Sequence, residues 1–123
     1  LIGRDTSSGT YEFFAEAAVG EGNEYSKEMR NLQSSQAIVD EVASNANAIG
    51  YVGMGYVDPK IHVVSLDGVE GSVDNVKNGS YPLSRGLNMY SNGAPTGLVA
   101  AYLEWILSPA GQAIVEAEGF VGL

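Results

Sequence analysis

The chain has 123 residues, of which 45% are apolar and 17% charged, which is enough hydrophobic surface for one folded α/β or α+β domain and argues against disorder. Its net charge of −9 and its lack of a Lys/Arg cluster argue against nucleic acid as a partner. The absence of cysteine excludes disulfides, Cys nucleophiles and thiolate metal sites.

The first predicted unit is a strand, a turn and a helix. Residues 1–3 are typical of the end of a buried strand, and the polar residues after them predict a turn. Apolar residues then recur at helical spacing, which predicts a helix that ends near Gly20. The predicted buried face of this helix consists of Thr10, Phe13, Phe14, Ala17 and Ala18.

The middle of the chain predicts a surface segment, a helix and two strands. Residues 20–35 are polar, and we expect a short helix at residues 27–32. A second helix begins at an N-cap, Ser34 or Ser35, and ends around residues 45–47. Its predicted buried stripe is Val39, Val42, Ala43 and Ala46. Apolar runs predict strands at residues 48–57 and 61–66, the first with glycines where another backbone or a ligand comes close.

The last third of the chain predicts three helices. A short helix at residues 72–78 is capped by Ser72, and an extended segment follows at residues 81–90. The next helix has a predicted buried stripe of Val99, Tyr102, Leu103 and Ile106, and we expect Trp105 in a core or interface. Ser108-Pro109 ends that helix and begins the last one, because Ser is a preferred N-cap and Pro suits the first helical position.

Arg4 and the turn Ser8-Gly9-Thr10 form the candidate binding site. The turn precedes a predicted helix, where unpaired backbone N–H groups and the positive end of the helix dipole attract anions. Ser8 and Thr10 add hydroxyl donors, and Gly9 allows close approach of the backbone. Arg4 offers a planar fork suited to two oxygens of a tetrahedral oxyanion. The pattern indicates an anion site with donors on one side.

A purely structural interpretation of the same residues stays open at this point. In that case Ser8 is only an N-cap, and Arg4 pairs with Asp5 or another acidic residue. The turn lacks the lysine and the spacing of a nucleotide-binding P-loop. His62, the only histidine, has no recognisable Ser or Cys partner motif, so we expect a structural role for it. No catalytic residue, metal site or cofactor is predicted.

Four segments in order carry a resemblance to a known family. They are residues 2–10 (IGRDTSSGT), 48–56 (AIGYVGMGY), 81–85 (YPLSR) and 107–112 (LSPAGQ), the last followed by Glu118-Gly119-Phe120. Over nearly its whole length the chain resembles the C-terminal portion of the phosphate-binding (PstS-type) substrate-binding proteins of ABC transporters. These proteins are type II periplasmic binding proteins.

The resemblance implies an α/β fold of the periplasmic binding protein type II-like class that is incomplete, with most of the first lobe absent. It implies that residues 1–57 are a second-lobe portion with the anion-binding turn, that residues 58–80 form a crossover region, and that residues 81–123 form a C-terminal segment that packs on the first lobe. We therefore expect exposed apolar surface unless the missing N-terminal segment or a second copy of the chain covers it.

The resemblance also implies a function. In that family the Arg and the Ser-Gly-Thr turn contact phosphate, and the matching spacing gives these roles to Arg4, Ser8, Gly9 and Thr10. The acidic residue that some relatives carry two positions after the Arg is Thr6 here. The implied protein is not an enzyme. It binds inorganic phosphate outside the cytoplasm, in the periplasm or anchored at the cell surface, and delivers the ion to ABC permease subunits.

Three alternatives remain open. In the first alternative, the ligand is another oxyanion, such as sulfate or molybdate. The protein is a phosphoryl-transfer or hydrolytic enzyme that uses Ser8 or Thr10, which requires a general base within hydrogen-bond reach of the hydroxyl. The chain is a sensor or assembly domain that retains the fold without the ligand.

Overall fold

The computed structural model describes residues 1–123, which divide into two compact units, Leu1–Val64 and Ser65–Leu123. The first unit contains β1 (Ile2–Arg4), α1 (Gly9–Phe14), β2 (Arg30–Leu32) and α2 (Ser35–Ser44). The second contains α3 (Val73–Lys77), α4 (Gly97–Leu107) and α5 (Pro109–Ala117).

Strand β1 is the centre of the first unit. It pairs in parallel with β2, in a register that places Ile2 beside Arg30 and Arg4 beside Leu32. On its other edge, the Ile2 N–H donates to the Ile49 carbonyl at 2.9 Å, and Ile2 forms a parallel bridge with Gly50. The predicted strand at residues 1–3 is confirmed, and parallel pairing within a helix-containing unit confirms the α/β class.

Two predictions around this sheet are wrong. The helix expected at residues 27–32 is absent, because Arg30–Leu32 instead pair with β1 as β2. Residues 48–57 do not form a continuous strand: Gly50 makes a single bridge, and Met54–Tyr56 form a 3₁₀ turn. Pairing with β1 decides the conformation of Arg30–Leu32, whereas the turn at Met54–Tyr56 is closed by local hydrogen bonds from the Tyr56 and Val57 amides.

The first helix changes its pitch after one and a half turns. Following α1, residues Ala15–Val19 form a π-helical turn, in which the Gly20 N–H donates to the Ala15 carbonyl five positions earlier at 2.9 Å. The wider turn rotates every later residue relative to the α-helical pattern. The end near Gly20 is confirmed, but Ala17 and Ala18, predicted to be buried, are exposed.

Helix α2 supplies most of the buried core of the first unit. Ser34 is its N-cap and accepts a hydrogen bond from the Ala37 N–H at 3.2 Å, as predicted. Ile38 and Val39 are its most buried residues. Of the predicted stripe, Val39 is buried and Val42 is partly buried, whereas Ala43 is exposed and Ala46 lies beyond the end of the helix. Ile38, which is buried, was not in the predicted stripe.

In the second unit, the three predicted helices are confirmed. Ser72 caps α3 by accepting from the Asn75 N–H at 3.3 Å, and Ser108 both ends α4 and caps α5. Gly111 lies directly against α4, where a Cβ would come within 2.3 Å of the Trp105 carbonyl oxygen. The tight corner between α4 and α5 therefore requires glycine at this position.

The strand predicted at residues 61–66 does not form. Leu66 makes only one antiparallel bridge, with Val69 across a turn, and residues 81–90 are irregular without a ladder. The stripe predicted for α4 is only half right, because Leu103 and Ile106 are partly buried whereas Val99 and Tyr102 are exposed.

Exposed apolar side chains are numerous in the second unit, as the sequence led us to expect. On α4 they are Leu98, Val99, Tyr102, Trp105 and Leu107. No single helix is long and apolar enough to cross a membrane. Helices α4 and α5 together are long and apolar enough by length and composition, but they are bent by 67° at their junction.

The close approach of Gly50 to the core of the first unit can be tested. A Cβ at Gly50 would lie 2.8 Å from Ile38 Cγ2 and 3.0 Å from the Ile2 carbonyl oxygen. We expect Gly50→Ala to lower the free energy of unfolding by about 1–3 kcal/mol through overpacking. Gly53→Ala is the matched control, since its Cβ would meet only Tyr56 Cδ2 at 3.8 Å. Urea denaturation measures both, and equal midpoints would contradict the packing described here.

Candidate anion-binding site

The candidate residues lie where β1 ends and α1 begins. Arg4 is the last residue of β1, and Ser8 is the N-cap residue of α1. The Ser8 N–H donates to the Asp5 carbonyl at 3.1 Å, which closes the intervening turn. The strand and the helix are thereby joined by a fixed connection, so Arg4 and the first turn of α1 belong to one local framework.

Ser8 occupies the N-cap position without acting as a side-chain cap. It is only 6% exposed, yet its side chain makes no capping hydrogen bond. The amides of Gly9 and Thr10 donate to no group within the protein, whereas the next amide, that of Tyr11, donates to the Ser8 carbonyl at 3.0 Å. The beginning of the helix therefore retains donors for an external acceptor, as expected at a helix N-terminus.

Arg4 has no carboxylate partner. The ion pair between Arg30 Nη1 and Glu41 Oε1, at 2.6 Å, does not involve Arg4. Arg4 Nη1 donates instead to the Ser35 hydroxyl at 3.4 Å, a long hydrogen bond, and Arg4 Nε is buried without a hydrogen-bond partner. A buried charged donor left unpaired is costly, so this guanidinium is suited to an additional acceptor.

The position of Ser35 increases the local positive potential. Ser35 is the first residue of α2, where the helix dipole is positive and disfavours a nearby cation. The Arg4 guanidinium nevertheless lies at this end of the helix. Local electrostatics thus favour a negative group near Arg4, although the chain as a whole carries a net charge of −9.

Asp5 is engaged elsewhere. Its carboxylate accepts hydrogen bonds from the Ser7 hydroxyl and from the Ser7 N–H, the latter at 2.9 Å. These hydrogen bonds, with a smaller contribution from the Arg4 charge, hold the pKa of Asp5 below its usual value. The structure therefore shows neither a side-chain cap from Ser8 nor a hydrogen bond between Arg4 and Asp5.

Tyr51 supports Arg4 from the backbone side. Its hydroxyl accepts from the Arg4 N–H at 3.3 Å, and its ring stacks on Phe14 with 4.2 Å between centroids. Gly3 makes room for it, because a Cβ there would lie 2.8 Å from Tyr51 Oη. Burial, and to a smaller extent a hydrogen bond with Tyr51, raise the pKa of the neighbouring Tyr25, so the Tyr25 phenol stays protonated at neutral pH.

The sequence missed Ser35 and Tyr51 as parts of this site. They lie 31 and 47 positions from Arg4, and no local pattern connects them to it. The structure shows no hydrogen bond between the Arg4 guanidinium and Ser8, Gly9 or Thr10.

Other candidate features lie apart from these residues. A cavity of about 410 Å³ is lined by Tyr11, Ala15, residues 23–27, Met29 and Asn31, and none of the candidate anion ligands contributes to it. His62 is exposed, and no group of three or more acidic or histidine side chains is arranged to hold a metal ion.

The fold is that of an α/β protein of the periplasmic binding protein type II-like class. The family model of the PBP superfamily domain matches residues 1–110. The chain belongs to that family.

Curated relatives and solved structures agree with this assignment. The phosphate-binding protein PstS of Pseudomonas aeruginosa is 36% identical, over 100% of this chain and 41% of that protein. The phosphate-binding protein PstS of Bacillus subtilis is 32% identical, over 98% of this chain and 40% of that protein. This chain therefore spans about two fifths of the length of these two relatives.

Two crystal structures share the fold. A phosphate-binding protein of a phosphate ABC transporter from Streptococcus pneumoniae matches with a TM-score of 0.88 and 30% identity, over 98% of this chain and 49% of that one. A putative phosphate ABC transporter substrate-binding protein from Clostridium perfringens, solved with bound phosphate, matches with a TM-score of 0.80 and 34% identity. That match covers 99% of this chain and 51% of the other.

The Asp5–Ser7 interaction gives a pH-dependent prediction. Because the pKa of Asp5 is lowered in the folded state, its ionised form contributes stability at pH values above its ordinary pKa, and that contribution is lost as the pH falls below about 4. We expect Ser7→Ala to raise the pKa of Asp5 toward its ordinary value and to weaken the loss of stability in acid. NMR titration of the Asp5 carboxyl carbon measures this shift. Ser91→Ala is the control, and an unchanged Asp5 titration in Ser7→Ala would contradict the assignment.

Proposed function

We propose that this chain binds inorganic phosphate outside the cytoplasm and contributes to its delivery to an ABC permease. The contacts to the ion come from the Arg4 guanidinium, the Ser8 and Thr10 hydroxyls, and the Gly9 and Thr10 amides. The observation that carries the proposal is Arg4 Nε, a buried cationic donor without a partner at the end of β1. The phosphate bound by the Clostridium perfringens relative supports the choice of ion.

These donors can form several strong hydrogen bonds to one anion. A bond to a charged group contributes roughly 1.5–3 kcal/mol, and the guanidinium fork matches two oxygens of a phosphate. The unpaired amides of Gly9 and Thr10 add donors at the positive end of α1. Together they offset the loss of hydration of the ion, which a single hydroxyl or amide would not.

We propose that the other side of the pocket comes from a further N-terminal segment or from a second copy of the chain. The donors identified here approach an anion from one side only. The relatives are about twice as long or longer, which leaves room in them for a second set of ligands. In this arrangement, closure of two lobes around the ion is the signal that the permease recognises.

The same site is proposed to bind without turnover. A nucleophilic Ser8 or Thr10 would require a general base within hydrogen-bond reach, and no carboxylate or imidazole hydrogen-bonds to either hydroxyl. The names of the relatives, a phosphate-binding protein and a substrate-binding protein of a phosphate ABC transporter, support a binding role.

Arg4 provides the direct test, in the protein at the length that its gene encodes. We expect Arg4→Ala to weaken phosphate binding about 10- to 150-fold, which corresponds to the loss of charge-assisted hydrogen bonds worth roughly 1.5–3 kcal/mol. Isothermal titration calorimetry measures the affinity. Arg30→Ala is the matched control, because it also removes one positive charge but from a surface ion pair with Glu41. Equal losses in the two variants would overturn the site.

Ligand identity is tested by titrating the same protein with phosphate, sulfate and molybdate. Phosphate carries a proton near neutral pH, so a pocket acceptor can favour it over fully ionised sulfate. We expect phosphate to bind at least tenfold more tightly than sulfate, which corresponds to a difference in binding free energy of about 1.4 kcal/mol. Equal binding, or no phosphate binding, would assign the site to another oxyanion.

A further inference from the structure

The orientation of the Arg4 side chain depends on a neutral group. Its Nη1 donates to the Ser35 hydroxyl at 3.4 Å, while the backbone N–H of the same residue donates to Tyr51 Oη at 3.3 Å. No other side chain hydrogen-bonds to the guanidinium, since the Asp5 carboxylate accepts from Ser7 and interacts with Arg4 only through its charge. Ser35 is thus the one side chain that directs this cation.

Ser35 is itself held rigidly. It is 8% exposed and forms the first residue of α2, next to the capping Ser34. Within one turn follow Ile38 and Val39, which are 1% and 2% exposed and are the most buried apolar residues of the first unit. The hydroxyl therefore belongs to a buried residue on the helix that contributes Ile38 and Val39 to the core.

We propose that Ser35 is the positioning residue for Arg4, and that it directs the guanidinium toward a bound anion without neutralising its charge. The proposal rests on the anion site proposed above. A hydroxyl offers only a dipole, so the full positive charge of Arg4 remains available to the ligand. A carboxylate in the same place would hold the guanidinium more strongly but would cancel much of the attraction that an anion feels.

A positioning role predicts a change in affinity that a structural role does not. We expect Ser35→Ala to weaken phosphate binding about two- to tenfold, the effect of losing one long hydrogen bond from the guanidinium to a neutral hydroxyl. Ser35→Thr retains the hydroxyl and is expected to stay within twofold of the unmodified protein. Ser34→Ala is the structural control, because it removes the cap of α2 without touching Arg4.

The titrations are performed by calorimetry below the unfolding transition of each variant, so the affinities refer to folded protein. Ser34→Ala is expected to lower the unfolding midpoint with less than a twofold effect on affinity. The proposal is overturned if Ser35→Ala binds phosphate as tightly as the unmodified protein, or if Ser34→Ala loses as much affinity as Ser35→Ala.

A charged substitution tests whether neutrality matters. We expect Ser35→Asp to bind phosphate more weakly than Ser35→Ala at pH 7, since the new carboxylate pairs with Arg4 and repels the ion. Affinity equal to or above that of Ser35→Ala would show that orientation alone matters and would overturn the neutral-positioning proposal.

The Arg4→Ala variant separates failure of this proposal from failure of the anion site. If Arg4→Ala leaves phosphate affinity intact, the site itself is wrong, and the proposal falls with it. If Arg4→Ala loses affinity while Ser35→Ala does not, the site stands and only the role of Ser35 is wrong. Ser35→Ala added to Arg4→Ala is expected to cause no further loss, because its effect passes through the guanidinium.

Discussion

The local structure depends on one unusual requirement, which is to hold a guanidinium in place without a carboxylate. Arg4 is held through its backbone by Tyr51 and through its side chain by Ser35, and both partners are neutral hydroxyls. A partly buried cation without a counterion is unfavourable unless a negative group, such as a bound anion, compensates its charge. The Arg4 charge therefore lacks a compensating negative group within the protein, a condition that suits an anion-binding site.

Much of the first unit can be understood as the framework for that arrangement. β1 is anchored on both edges, by β2 and by the Ile49–Gly50 segment, so Arg4 extends from a fixed strand. Gly3 leaves space for the Tyr51 ring, which stacks on Phe14 of α1 and so connects the strand to the helix. Substitutions some distance from Arg4 can therefore change its orientation without removing any contact to a ligand.

Local sequence signals predicted those parts of the fold that local interactions decide. Ser34 as a cap of α2 and Ser108-Pro109 between α4 and α5 were predicted because the capping hydrogen bond forms within one turn. The strand β2 was not predicted, since its polar sequence becomes a strand only by pairing with β1. The π-helical turn at Ala15–Val19 also had no sequence signal, and it moved the inward-facing residues of the first helix.

The candidate site divides in the same way. The Arg4, Ser8, Gly9 and Thr10 pattern could be recognised because all four residues lie within seven positions of the chain. Ser35 and Tyr51 could not, because only folding brings them to Arg4.

The contrast between global and local charge follows from this geometry. A net charge of −9 would repel a distant anion, but solvent and salt screen that repulsion beyond about 8–10 Å. In the proposed site, the ion at contact distance would meet the unpaired Arg4 donor and the amides at the beginning of α1 instead. Because Arg4 ends β1 and the amides lie at the beginning of α1, both sets of donors belong to regular elements, and we expect little additional backbone ordering when the ion arrives. Affinity in such a site depends on how a few donors are oriented, which is the basis of the positioning role proposed for the Ser35 hydroxyl on α2.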